Sequence, residues 1–162
     1  GEGGIKDYEN AVMWLQKAAD QGFPNSQYSL GKLYFAGLGV DKDVTRAIKL
    51  YADAADAGFP NAAYNLGKAY RDGTGVVQDP EQAIFWFRKA AEAGYGRAQR
   101  NLASRLATGE GMARNDVEAL KWGTLAMRQG VVGAFEIVET LRARMTSGEI
   151  ARAEAMLGAR SN

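Results

Sequence analysis

Residues 59–94 read FPNAAYNLGKAYRDGTGVVQDPEQAIFWFRKAAEAG, and the same pattern recurs 36 residues away in both directions. Gly22, Gly58, Gly94 and Gly130 mark the period. Ala11, Ala47, Ala83 and Ala119 keep step with them, as do Leu30, Leu66 and Leu102. Two further glycine columns, Gly37/Gly73/Gly109 and Gly39/Gly75/Gly111, hold the same register without insertion or deletion. A fixed period of this size denotes an array in which no unit can bury its apolar face alone, so each stacks on its neighbours. Such a chain is expected to hold a partner rather than to transform a substrate.

Within the quoted stretch, residues 60–72 predict a first helix, A. Pro60 suits the first turn, where its missing N–H is not needed. Leu66 and Tyr70 share a face with Ala63, and Gly73 ends the helix. After a short loop, Asp79 caps a second helix, B, with Pro80 at its first position and Gln82 completing a capping box. Ala83, Trp86, Phe87, Ala90 and Ala91 form its apolar stripe. The same pair is predicted at 24–36 with 44–57 and at 96–108 with 116–129, preceded by a lone helix B at 7–21. A helix A at 132–144 follows, and Thr146-x-x-Glu149 opens a last helix to about Leu157. Glu139 and Arg142 stand there in columns held earlier by Gly31/Gly67 and Tyr34/Tyr70, as in a unit that shields the end of an array. Residues 158–162 are expected to fray. The domain reading is a repeat array over 1–134 (half repeat 1–22, repeats 23–58, 59–94 and 95–130) and capping helices over 131–162.

The side chains divide into small and large columns. Gly31, Gly67 and Ala103, with Ser26, Ala62, Ala98 and Ala134, mark close helix crossings. Trp14, Leu50, Trp86 and Trp122 fill the space between helices, with Phe23, Phe59, Tyr95 and Val131 at the turns.

Apolar residues make up 46% of the 162, enough for a core, and the net charge of +1 gives no global nucleic-acid or membrane signal. The chain has neither Cys nor His, which removes disulfides, thiolate ligands, thiol nucleophiles and the commonest general base. No apolar run approaches the roughly 18 residues of a membrane span. No stretch reads as a signal peptide. Residues 1–7 fall in register with the loop at 37–43, so the chain is expected to be a piece of a longer protein, and that absence says nothing of the parent.

The run from Ala62 to Val76, followed by Asp79, Ala83, Trp86, Ala90, Ala91 and Gly94, resembles the Sel1-like repeat, a relative of the tetratricopeptide repeat with a slightly longer unit. The resemblance covers about residues 1–134. It implies an all-α fold, a right-handed α/α solenoid of antiparallel helix pairs with a C-terminal capping helix. It also implies a scaffold or adaptor in bacterial signalling or cell-envelope processes, with the periplasm favoured over the cytoplasm. Two departures stand out. Ala103 and Leu106 replace the Gly and Tyr of the other copies, so helix spacing is expected to differ there. The cysteines of the disulfide-rich branch are missing.

Sites of chemistry are few. The Gly-x-Gly loops follow no strand and continue into no phosphate-binding pattern, so they read as helix ends and tight turns. The aromatic columns sit at core spacing rather than forming a stacking platform. Asp53 and Asp56 read as a solvated face, and Ser29, Ser104 and Thr108 have no imidazole to activate them. No catalytic residue, metal site or cofactor is predicted.

One asymmetry is informative. The three helices A carry Lys32, Lys68, Arg71, Arg97, Arg100 and Arg105 against Asp72 alone, whereas helices B balance their charges. In a curved array helices A line the concave surface. The predicted partner-binding residues there are Tyr28, Lys32, Phe35, Tyr64, Asn65, Lys68, Arg71, Arg97, Arg100, Asn101 and Ser104. Cations bind carboxylates and side-chain amides bind peptide backbone, so an acidic or C-terminal segment of another protein is the expected guest, with no nucleic acid and no membrane insertion. The face of helix 7–21 carrying Ala11, Trp14, Leu15 and Ala18 lacks its own helix A and is expected to support a homodimer. Two other classes remain open: an enzyme acting on cell-wall or β-lactam-like substrates, and an RNA-binding helical repeat.

Overall fold

A computed structural model of the protein describes residues 2–158, with side chains from residue 7 onward. Among these residues there are helices and no strands: α1 Glu2–Ala19, α2 Pro24–Ala36, α3 Val44–Asp56, α4 Pro60–Asp72, α5 Pro80–Glu92, α6 Gly96–Thr108, α7 Asp116–Arg128, α8 Ala134–Arg144 and α9 Ser147–Gly158. The chain divides into two compact units, 1–86 and 87–162, the division falling inside α5. Gly1 and residues 159–162, including most of the end expected to fray, lie outside the described residues.

The joints between helices repeat in main-chain hydrogen bonds. After each helix B the residue following the period-marking glycine donates back to the helix: Phe23 to Ala18, Phe59 to Ala54, Tyr95 to Ala90 and Val131 to Ala126. Each glycine there has a positive φ, as the left-handed helix end requires. After α2, α4 and α6, the capping residue of the next helix donates its N–H to the last turn behind it. The bonds are Asp43 to Tyr34, Asp79 to Tyr70 and Asn115 to Leu106, each 2.9 Å. Asp43 and Asn115 then accept from Arg46 N and Glu118 N, and Asp79 accepts from both Glu81 N and Gln82 N. Gln82 thus serves Asp79 through its backbone N–H. The two-way capping box is seen at α9, where Thr146 N donates to Glu149 Oε2 at 2.9 Å and Glu149 N to Thr146 Oγ1 at 3.3 Å.

In the first unit two Gly-x-Gly loops lie against the helix B before them. At Gly75 a Cβ would stand 2.7 Å from Val44 Cγ1 of α3. At Gly39 it would run into the backbone of Tyr8 and Glu9 in α1. Glycine, with no Cβ, meets both that proximity and a φ of +74° or +67°.

In the first unit Leu30, Tyr34, Ala47, Ile48, Tyr51, Ala54 and Leu66 are buried, with Val12 and Leu15 of α1 packed beside Leu30 and Ala47. In the second unit Phe87, Leu102, Leu106, Leu120, Trp122, Val138 and Leu141 are buried. The small columns admit large neighbours: a Cβ on Gly31 would lie 2.8 Å from Tyr51 Cε1.

Three expectations are corrected. α1 begins at Glu2, not Asp7: residues 2–6 continue the helix, where the loop of a later copy breaks with left-handed glycines such as Gly37 and Gly39. α8 begins at Ala134 rather than Val132, because Gly133 takes a left-handed conformation at its N-cap. Trp14 and Phe23 do not fill interhelix space. They are 64% and 55% exposed, while Trp86 and Trp122 of the same large columns are buried.

Candidate functional site

α2, α3 and α4 of the first unit enclose a cleft of about 340 Å³ lined by Lys32, Phe35, Ala36, Ile48, Tyr51, Asn65, Lys68, Ala69, Asp72 and Thr74. Lys32 and Phe35 come from α2, Asn65 and Lys68 from α4. These four of the sequence-predicted residues meet at one place. Both lysines are exposed, and neither makes an ion pair among the described residues.

The floor was not foreseen. Ile48 and Tyr51 project from α3, a helix B whose charges had read as a balanced outer face. The available signal was size: Gly31 leaves room for a ring, and Tyr51 occupies it. Burial pushes the Tyr51 phenol up to about 12, the neighbouring Tyr28 adds to this, and a hydrogen bond with Asn65 partly counters it. Tyr51 is therefore a neutral hydroxyl at any physiological pH, and Asn65 is already engaged with it.

Other predicted residues have different roles. Tyr28 is half-buried, its ring 5.7 Å from Tyr51 and 5.2 Å from Phe59, with the Lys32 ammonium 5.8 Å from its centre. It is a packing residue rather than an exposed aromatic. Tyr64 is also half-buried. Arg71 turns to its neighbour: Nε and Nη2 donate to the two oxygens of Asp72 at 2.7 and 2.8 Å. Those hydrogen bonds hold the Asp72 carboxyl below the usual carboxylate range. The cationic character of the cleft thus rests on Lys32 and Lys68.

Arg97, Arg100, Asn101 and Ser104 lie on α6 in the second unit and do not line this cleft. Arg97 is exposed. Arg100 reaches the start of α8, where a Cβ on Gly133 would be 3.2 Å from its Nη1. Arg105, counted with them in the basic set, lies inward: its side chain is 14% exposed, 3.5 Å from Glu110 Oε1 and 5.9 Å from the Phe87 ring centre.

The second unit has its own polar links. Glu118 accepts from Arg88 at 2.5 Å and from Trp122 Nε1 at 3.1 Å. Arg144 of α8 holds Asp116 of α7 and donates to Ala107 O at 2.7 Å. Among the described residues no cluster of His, Cys, Asp and Glu could hold a metal, and no helix is long and apolar enough to cross a membrane.

The family model for the Sel1 repeat matches residues 1–23, 24–59, 60–95 and 96–131. Among solved structures, a Sel1 repeat protein from Oxalobacter formigenes is 30% identical with a TM-score of 0.82, over 97% of this chain and 67% of its own. c5321, a protective antigen present in uropathogenic Escherichia coli strains and displaying an SLR fold, is 33% identical with a TM-score of 0.80. That match covers 98% of this chain but only 34% of c5321, so this chain spans about a third of that relative. Helicobacter pylori cysteine rich protein B, 22% identical, covers 82% of this chain and 96% of its own at a TM-score of 0.65, and shares the all-α solenoid fold. No curated protein matches the sequence. With its repeats matched in unbroken succession to residue 131, the chain belongs to the Sel1 repeat family, whose members are generally scaffolds for protein–protein interaction and typically not enzymes.

Proposed function

We propose that the protein is an adaptor that holds an acidic or C-terminal segment of a partner protein against α2 and α4 of its first unit. The observation that carries this is the pair Lys32 and Lys68 beside an apolar floor, neither ammonium in a direct ion pair among the described residues although Asp72 feels the charge of Lys68. Two cations left open next to Phe35, Ile48 and Tyr51 favour a guest that brings both carboxylate and apolar surface. Arg97 and Arg100 on α6 offer further cationic contacts in the second unit. In this reading α8 and α9 close the array as a capping pair, and the adaptor serves bacterial signalling or cell-envelope assembly.

The test is a peptide-array selection on the whole chain, followed by fluorescence anisotropy. Peptides enriched by the wild type should carry carboxylates, bind more weakly at high salt, and lose at least about 10-fold in affinity to K32E/K68E. Both lysines are exposed, so unfolding free energy should stay within about 0.5 kcal/mol. Equal binding of the enriched peptides by K32E/K68E, or no enrichment of acidic sequences, overturns the proposal.

A further inference from the structure

We infer that the cleft over Ala69 is a side-chain pocket, taking one uncharged, bulky apolar residue of the bound segment and setting its specificity. The inference rests on the reading that this cleft holds a peptide. Its independent support is that the molecule fills the corresponding space one repeat further on with a side chain of its own.

Ala69, Thr74 and Tyr51 correspond, one period later, to Arg105, Glu110 and Phe87. There the long Arg105 side chain lies against the aromatic ring at 5.9 Å, mostly buried, with its guanidinium 3.5 Å from Glu110. In the first unit the same column ends at the methyl group of Ala69, the carboxylate is replaced by Thr74, and the ring of Tyr51 is left beside an open cleft. What Arg105 occupies in one copy is therefore unfilled in the other.

The guest is not a second arginine. The rim carries Lys32 and Lys68, and its only carboxylate, Asp72, is taken by Arg71. A cation entering there would meet like charge and no counter-ion. An apolar side chain meets Phe35, Ile48, Tyr51 and Ala69, as an anchor residue in a desolvated pocket does. The two lysines then stand over the carboxylate-bearing flank of the same segment.

The test uses a selected peptide and its copies with each apolar residue changed to Ala, measured against the wild type, A69R/T74E and K32E/K68E. The double change A69R/T74E installs the Arg105–Glu110 arrangement in the first unit. One apolar residue should prove dominant, its change to Ala weakening binding about 10- to 100-fold in the wild type. In A69R/T74E that discrimination should fall to below about 3-fold while salt-dependent binding to the lysines persists. If binding requires Lys32 and Lys68 but no apolar residue matters, or A69R/T74E discriminates as the wild type does, the pocket is overturned and the adaptor reading stands. If no peptide binding depends on the lysines, both fall. Circular dichroism and melting of A69R/T74E confirm that it is folded. Should it fail to fold, Ala69→Leu, which fills the pocket without adding charge, must reduce the discrimination in the same way or the inference fails.

Discussion

Gln129, at the end of α7, donates its side-chain amide to Gln99 of α6 at 2.8 Å. Gln99 is 2% exposed and donates in turn to Ala91 O at 3.1 Å, so its amide is used on both sides. Two repeats earlier the same columns hold Gln27 and Ala57, and Gln27 Oε1 is buried without a hydrogen-bond partner. Pro24 and Pro60 open α2 and α4, but α6 opens with Gly96, where a Cβ would lie 2.7 Å from Val131 Cγ2 and 2.8 Å from Gln129 Oε1.

Substituting Met at these two glutamines should therefore have opposite consequences. Gln99→Met removes one of the two bonds to Ala91 O, which keeps Gly94 N, and takes the acceptor from the Gln129 amide, and should cost about 1–3 kcal/mol. Gln27→Met removes an unpaired buried oxygen and should be neutral or stabilising. Urea unfolding of the two variants checks this, and equal losses would refute it.

Glu118 makes stability depend on acid. Burial pushes its carboxyl up, but the hydrogen bonds from Arg88 and Trp122 outweigh that and hold it below its ordinary value of 4.5. Because the folded value is the lower one, the contribution is fully present above the unfolded range and is lost as pH falls through the folded value. The stability gap between wild type and Glu118→Gln should be widest near neutral pH and narrow between about pH 5 and pH 3. A constant gap would show that the bridge does not titrate with folding.

Arg144 ties three helices with charge-assisted bonds, to Asp116 at 2.6 and 2.9 Å and to Ala107 O at 2.7 Å. Its side chain is a third exposed, so solvent screening limits the effect. Arg144→Met, which keeps most of the apolar stem, should lose about 1–2 kcal/mol. Amide hydrogen exchange should quicken first at the α7 N-terminus; a change confined to α9 would contradict the assignment.

Size complementarity across the columns can be tested with alanine. Gly31→Ala drives a methyl group to 2.8 Å from the Tyr51 ring, an overpacking cost of about 1–3 kcal/mol that the gain of about 1 kcal/mol in helix propensity only partly offsets. At Gly123 the nearest atom is Val138 Cγ2 at 3.2 Å, and Ala gains about 1 kcal/mol of helix propensity, so Gly123→Ala should lie within about 1 kcal/mol of the wild type. Thermal unfolding of both variants distinguishes them.

The helices were legible because a unit that buries its face only against neighbours must repeat its apolar and glycine positions. The departure at Ala103 was visible too, but not its meaning. Gly123 stands in the Tyr51 column, and an added Cβ there would sit 3.7 Å from Ala103 Cβ, so the small residue has moved to the facing helix. Four cleft residues, Lys32, Phe35, Asn65 and Lys68, were readable from register. The cleft floor was not, because Ile48 and Tyr51 come from a helix whose charge pattern marks only its other side. Arg71 was misjudged because a long cation chooses between solvent and an adjacent carboxylate by rotamer, which periodicity does not encode. Trp14 misled because its column is filled with core residues in other copies, while here the ring stays in solvent with Lys17 4.5 Å away.

The bonds from Asp43, Asp79 and Asn115 back to the preceding helix persist although the residue at their base changes from Tyr34 and Tyr70 to Leu106. A hinge fashioned from peptide groups is indifferent to which side chains flank it. Whole modules can thus be duplicated, deleted or exchanged at that seam while the fold is inherited intact.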